Sequence, residues 1–140
     1  ITRRIIADLE GEEAARVGKF ALDLWKLLFE DGNYGFYHGI VSSYNIQLAL
    51  IYAQMGNAEE TLAYLEEAAL HATRADTQGS VQYTAFMVNR CTFDKSTYIT
   101  NSGEKESDML LRQMEVGCFD FVREDARFKE IVKRLEKVEK

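Results

Sequence analysis

Hydrophobic residues recur at three- and four-residue steps along most of the chain, which is the spacing of one face of an α-helix. The pattern predicts helices over residues 12–30, 36–55 and 58–74. On the first of these helices the larger apolar residues fall on one side. We expect that side to be buried; it carries Val17, Phe20, Ala21, Leu24, Leu27 and Leu28, with Trp25 next to it.

The second and third predicted helices form a hairpin. Residues 31–35 (DGNYG) separate the first helix from the second, and only Gly56 and Asn57 separate the second from the third. Two long helices joined by so short a turn must lie antiparallel. Their inner faces are expected to hold Ile40, Tyr44, Leu48, Ile51, Tyr52, Met55, Leu62, Leu65, Ala69 and Ala72, whereas Glu59, Glu60, Glu66 and Glu67 form a solvated outer face.

The C-terminal half has a weaker pattern. Helices are predicted over residues 104–116 and 124–137, with inner residues Met109, Leu110, Met114, Phe128, Ile131, Val132, Leu135 and Val138. Residues 77–103 are polar and are predicted to form an irregular or short-helical connector that ends in a loop at 101–103. Residues 81–90 are compatible with a short helix. The run at 92–101 alternates like a strand, but no partner for it is visible, so no strand is predicted.

Composition narrows the class of protein. The 140 residues make one domain of 16.0 kDa without proline, which favours uninterrupted helices. The net charge of −6 repels phosphate backbones, so this segment is not expected to bind nucleic acid by itself. No apolar run approaches the roughly 18 residues that span a bilayer. The isolated Cys91 and Cys118 suit a reducing compartment, and a cytoplasmic location is expected.

Catalytic and metal-binding patterns are missing from the sequence. His38 and His71 are the only histidines, and neither has a partner at metal-ligand spacing. We interpret His71 as a favourable charge in the last turn of its helix. The serines and cysteines lack the context of a nucleophile, and no phosphate-binding glycine loop follows a strand. The sequence therefore predicts a protein that is not an enzyme, with no cofactor and no metal.

The segment from Tyr44 to Ala72 resembles a tetratricopeptide repeat, a helix–turn–helix unit of about 34 residues that stacks into superhelices. Leu48, Ala49, Tyr52, Gly56, Leu65 and Ala68 occupy the repeat's large, small, aromatic and turn positions. Thr61 replaces the usual Ala, Asn45 replaces the usual Trp, and no Pro closes the unit. The clearest repeat spans residues 42–75. The resemblance implies an all-α, tetratricopeptide-like α-α superhelix as the fold of residues 1–140.

A second resemblance covers most of the chain. The segments DGNYGFYH, LEEAALHATRAD, VQYTAFMVNR and FDFVREDARFKEIVKRL occur in the order found in C-terminal regions of helix-turn-helix (XRE-like) transcriptional regulators of Firmicutes-type bacteria. That resemblance implies a sensing and dimerisation domain. The chain begins at Ile1 without an initiator Met, so we expect an N-terminal DNA-binding domain upstream of it. DNA would then be bound only through that absent domain.

A binding surface is expected on the second predicted helix, because the first helix of each repeat lines the concave groove of a tetratricopeptide superhelix. The residues expected there are Ser43, Ile46, Gln47, Leu50 and Gln54, together with Tyr34 and Tyr37. An apolar peptide or another helix would fit this groove. Ile46 and Leu50, if exposed, could equally form a homodimer surface. For the aromatic group Phe29, Tyr34, Phe36 and Tyr37, packing between two repeats is favoured over ligand binding.

The sequence thus predicts a non-catalytic domain that binds a peptide or protein and forms dimers, within a DNA-binding transcriptional regulator. The alternative is a general tetratricopeptide adaptor for protein–protein contacts, unrelated to transcription.

Overall fold

The computed structural model describes residues 2–97 and 103–138. Helices account for nearly all of the regular structure in these residues, so the prediction of an all-α fold is confirmed. Two short strands and two short 3₁₀ helices, Gly35–Tyr37 and Gly117–Val122, complete it. In chain order the elements are α1 (Thr2–Ala7), α2 (Gly11–Leu28), α3 (His38–Gln54), α4 (Ala58–Thr77), β1 (Val81–Gln82), β2 (Thr92–Phe93), α5 (Glu106–Met114) and α6 (Ala126–Glu136).

Helices α3 and α4 form the predicted hairpin, and they make the most extensive helix–helix contact in the described part of the chain. Ala49, Leu65 and Ala68 are completely buried between them, because small side chains let the two helices approach closely. The Asn57 side chain caps α4 by accepting a hydrogen bond from the backbone N–H of Glu60 at 3.2 Å. Met55 is 37% exposed, so its predicted burial is wrong.

Helix α2 packs against α3 through a different face from the one predicted. A Cβ atom on Gly18 would lie 2.8 Å from a methyl carbon of Leu48, so the two helices approach too closely for a side chain at this position. Most of the buried residues of α2 are therefore small; they are Ala14, Ala15, Gly18, Ala21 and Leu22. The predicted burial of Phe20, Leu24, Leu27 and Leu28 is wrong, since all four are exposed.

Helices α5 and α6 pack on α4 and enclose a second part of the core. The 3₁₀ helix between them contributes Phe119, which is completely buried, to the cluster that also contains Ile46 of α3. Both predicted helices exist but are shorter at each end than predicted. Helix α6 begins where the Asp125 side chain accepts a hydrogen bond from the backbone N–H of Arg127, at 2.7 Å.

The connector between α4 and α5 contains a small antiparallel ribbon. Val81 pairs with Phe93 and Gln82 pairs with Thr92, so the prediction that the run at 92–101 has no strand partner is wrong. The partner strand, Val81–Gln82, lies in the same connector, within residues 81–90, whose pattern is compatible with a short helix. Residues 98–102, which include most of the predicted loop at 101–103, lie outside the described residues.

Candidate functional site: a cleft between α2, α3 and α4

A cleft of about 280 Å³ is lined by residues of α2, α3 and α4, and by Tyr34 from the segment between α2 and α3. The α2 side carries the charged residues Lys19, Asp23 and Lys26, and the α4 side carries Glu67. A cavity of this volume holds one or two side chains of a bound chain, or a small polar molecule. The other lining residues are Leu22, Tyr34, Val41, Asn45, Tyr64 and His71.

Lys19, which lines the cleft, lies over the ring of Tyr52 on α3. Its ammonium nitrogen lies 5.1 Å from the centre of the Tyr52 ring, a cation–π distance. The hydrogen bond with Tyr52 raises the pKa of Lys19, so the lysine is charged at neutral pH. Tyr52 stacks in turn on Tyr64, with ring centroids 5.6 Å apart. Helix α2 therefore presents a fixed positive charge beside two phenol rings.

A pair of histidines lies beside the cleft, and one of them, His71, lines it. Nδ1 of His38 and Nδ1 of His71 lie 2.8 Å apart, and both side chains are buried. Burial is the main cause that lowers the pKa of each histidine to about 4, so both are neutral at pH 7. The prediction of a charged His71 at the end of its helix is therefore wrong. His71 lies on the same face of α4 as the buried residues Ala68 and Ala72. Its position three residues after one and one residue before the other could have indicated that His71 is buried.

The surroundings of the pair determine which histidine donates. Nε2 of His71 faces the Glu67 carboxylate at 3.9 Å, a position that favours a proton on Nε2. Neutral His71 then accepts at Nδ1, and the Nδ1–H of His38 donates to it. The ring of Tyr34 contacts both imidazoles edge-on, with its centroid 5.5 Å from that of His38 and 5.3 Å from that of His71.

The residues of α3 that were predicted to line a groove differ in their exposure. Ile46 is only 3% exposed and lies in the same buried cluster as Phe119 of the 3₁₀ helix and Leu110 of α5, so it is not available for a homodimer surface. Leu50 is half-buried beside the same cluster. Ser43 and Gln47 are half-buried as well, and the Oε1 atom of Gln47 is buried without a hydrogen-bond partner in the described part of the chain. Gln54 is exposed near the far end of α3.

Tyr34 and Tyr37 belong to an aromatic cluster that joins α2, α3 and the ribbon. Phe29 lies 5.5 Å from each of the two tyrosines and 5.6 Å from Tyr83, measured between ring centroids. Tyr34 is buried, and Tyr37 is half-buried. This geometry matches the packing interpretation of the aromatic group. Tyr34 is the one residue of the predicted set that also lines the cleft.

Most lining residues were not singled out from the sequence as binding residues. The lysines of α2 and the polar residues of α4 come close to one another only because both helices pack on α3, and no local sequence motif marks them.

The face of α4 that was predicted to be solvated contacts α6, and the spacing of residues along the chain could not reveal this contact. Arg127 of α6 donates hydrogen bonds to Glu66 and to Glu59, each at 2.8 Å. These bonds fix α6 against α4.

The cleft supplies groups for binding. Two ammonium groups, two carboxylates, two phenols and the Asn45 amide can each hydrogen-bond a polar ligand, while Leu22 and Val41 offer apolar contact. Residues 2–97 and 103–138 hold no group of three or more His, Cys, Asp or Glu side chains that could bind a metal ion. Burial raises the pKa of Cys118, which keeps this thiol protonated at neutral pH.

Comparisons of the chain with protein-family models, with curated proteins and with solved structures found no match. Among the described residues, the helices are all too short or too polar to cross a lipid bilayer.

Proposed function

We propose that this chain is a peptide- or protein-binding domain with a tetratricopeptide-like fold, and that it belongs to a bacterial transcriptional regulator. The cleft between α2, α3 and α4 is the observation on which the binding function rests. One side chain of an extended peptide would enter it, with its polar end near Lys26 and Glu67 and its apolar part against Leu22 and Val41. No catalytic step is part of this proposal.

The fold supports the proposal in two respects. The α3–α4 hairpin has α2 on one side and the α5–α6 pair on the other, as expected of consecutive units in a helical repeat. Repeat domains of this kind bind partners along the surface that their stacked helices create. The regulator assignment rests on the sequence resemblance, and the chain's net charge of −6 agrees with DNA contacts made by a different domain.

Peptide selection tests the binding function. Random peptides would be selected on the immobilised domain, and the affinity of the enriched peptides measured by calorimetry. We expect Lys26→Glu and Glu67→Lys each to change the affinity at least tenfold, because both charges lie in the cleft lining. Lys133→Glu, an exposed charge change on α6, is the matched control and should have no effect. Failure to enrich any peptide, or affinities that neither cleft variant changes, would contradict the proposal.

The regulator assignment has a separate test in the gene. A helix-turn-helix domain of about 60 to 70 residues encoded directly upstream of Ile1 would support it. A membrane anchor or a kinase domain at that place would contradict it. Peptide binding without an upstream DNA-binding domain would favour the general adaptor.

A further inference from the structure

We propose that the cleft between α2, α3 and α4 accepts the carboxamide side chain of a glutamine or asparagine residue of the bound peptide. The two atoms that would recognise this group are the hydroxyl of Tyr34 and the Oδ1 atom of Asn45, and both residues line the cleft. This inference rests on the proposed peptide binding and names the kind of residue that the cleft selects.

The residues that line the cleft form two sets, which differ in their exposure. The charged residues of the lining are all exposed, and we call them the cleft rim: Lys19, Asp23, Lys26 and Glu67. Five other residues are buried, and we call them the cleft floor: Leu22, Tyr34, Val41, Asn45 and His71. A polar group that reaches the floor loses its contacts with water, so it needs hydrogen-bond partners there.

Two polar side chains of the cleft floor each carry an atom without a partner. Tyr34 is 7% exposed, and its hydroxyl forms no hydrogen bond with any of the described residues. Asn45 is 4% exposed; its Nδ2 group donates to the carbonyl oxygen of Val41 at 2.9 Å, whereas its Oδ1 atom accepts no hydrogen bond within residues 2–97 and 103–138. Buried polar atoms normally have partners, so these two atoms point to a polar ligand.

Both atoms are accessible from the cleft. In the described part of the chain, the side-chain atoms that are shut off from solvent without a partner are Oε1 of Gln47 and Oγ1 of Thr73. The hydroxyl of Tyr34 and the Oδ1 atom of Asn45 are not among them. Both atoms therefore reach solvent, and the cleft that both residues line is where they do so.

The two atoms offer a ligand one donor and one acceptor. Burial, and then the carboxylate of Glu67, raise the pKa of Tyr34, so its hydroxyl stays protonated at neutral pH and can donate. Asn45 offers its Oδ1 atom as an acceptor, because Val41 already binds the Nδ2 group. A carboxamide carries the complementary pair: its C=O can accept from Tyr34, and its N–H can donate to Asn45.

The charges of the cleft favour a neutral group. The rim has two lysines and two carboxylates, so its charges cancel, and His71 of the floor is neutral at pH 7. A charged side chain of the peptide would be repelled by the rim residues of its own sign, and it would lose hydration on reaching the floor. A carboxamide avoids both costs, while its methylene groups can pack against Leu22 and Val41.

The size of the cleft favours a side chain over the peptide backbone. A backbone amide offers the same donor and acceptor, but the chain continues on both sides of it. A volume of about 280 Å³ holds one or two side chains. The tip of one side chain can therefore reach the floor, whereas a stretch of main chain with its neighbouring residues cannot.

A series of short peptides tests the selection. Their sequence is Ala-Ala-X-Ala-Ala with an acetyl and an N-methylamide end, so that only X can supply a primary carboxamide; X is Gln, Asn, Glu, Lys, Met or Thr. Binding is followed by NMR of the isotope-labelled chain, in which the side-chain amide signal of Asn45 should shift. We expect the Gln or the Asn peptide to bind at least about tenfold more tightly than the other four, because those leave Tyr34 or Asn45 unpaired.

Substitutions at the two recognising residues test their roles. Tyr34→Phe keeps the packed ring and removes only the hydroxyl, so it should reduce the preference for the carboxamide over the Met peptide to within about threefold. Asn45→Asp should shift the preference toward the Lys peptide, because a carboxylate would then face the ligand. Tyr37→Phe is the matched control; it removes a hydroxyl from the neighbouring aromatic cluster, outside the cleft lining, and should change neither affinity.

The outcomes separate this inference from the proposed function. Peptides that bind equally well whatever X is, tightest binding with Glu, Lys, Met or Thr at X, or a carboxamide preference that Tyr34→Phe leaves intact would overturn the carboxamide selection and leave peptide binding standing. Absence of binding by all six peptides would contradict both proposals.

Discussion

At the scale of single residues, the His38–His71 pair shows how burial replaces a charge with a hydrogen bond. A histidine near the end of a helix is normally favourable as a cation. Here both rings are buried, so protonation would place a positive charge in a poorly hydrated position. The pair therefore favours two neutral imidazoles, with one N–H donated between them.

The free energy of unfolding should depend on pH between about 4 and 6.5, the range in which the two histidines titrate. The ordinary histidine pKa of 6.5 applies to the unfolded chain, and the folded value is about 4 for each ring. Between these values the unfolded chain binds more protons, so the free energy of unfolding falls as the pH is lowered from 6.5 toward 4. Each histidine adds at most about 1.4 kcal/mol per pH unit to the slope.

Urea unfolding at pH values from 5 to 8 measures this dependence. We expect constant stability above pH 7 and a steady loss below pH 6.5. His71→Gln should reduce the slope by about half, even if it lowers the overall stability. Stability that stays level between pH 5 and pH 7 would contradict the neutral pair.

At the scale of elements, the start of α5 depends on a residue thirty positions away. The Asp76 side chain accepts hydrogen bonds from the backbone N–H groups of Glu106 and Ser107, both at 2.9 Å, and from the hydroxyl of Ser107 at 2.5 Å. The helix has no side-chain cap of its own at Lys105. Asp76 thus ties the end of α4 to the beginning of α5.

Loss of this cap should destabilise the protein measurably. Asp76→Ala removes three hydrogen bonds and a negative charge at a helix N-terminus, which should lower the free energy of unfolding by about 1–2 kcal/mol. Asp108→Ala, an exposed acidic residue in the first turn of the same helix, should change it by only a few tenths of a kcal/mol. The comparison uses urea unfolding followed by circular dichroism. Equal effects of the two substitutions would show that Asp76 is not the cap.

The elements also show what the sequence could predict. Apolar spacing placed α2 to α6 within a few residues, because the helical period is a local property. Their ends were less predictable, since Asp76 acts from another helix. The buried face of α2 was predicted wrongly from the three- and four-residue spacing of its apolar residues. Contact with α3 through Gly18 instead selects small residues, and this leaves Phe20 and Leu27 outside.

At the scale of the whole molecule, α3 and α4 hold together two hydrophobic clusters. One cluster joins α2, α3 and the aromatic residues around Phe29, and the other joins α3 and α4 to α5 and α6. Tyr64 packs against both. The candidate site lies beside the first cluster, and the second buries Ile46. The sequence could not reveal the cleft, because the arrangement of five helices decides which face of α3 stays open.

Both clusters contain residues of α3, and Tyr64 of α4 packs against both, so damage to one cluster should destabilise the other as well. Phe119→Leu in the second cluster removes part of a completely buried ring, which should lower the free energy of unfolding by about 1–2 kcal/mol. Trp25, the only tryptophan in the chain, packs against the first cluster and reports on it by fluorescence. Fluorescence and circular dichroism should therefore shift to the same lower urea midpoint. Phe121→Leu, on the exposed side of the same 3₁₀ helix, is the matched control and should shift neither signal appreciably. If the Trp25 signal kept its wild-type midpoint while the dichroism shifted, the two clusters would be shown to unfold separately.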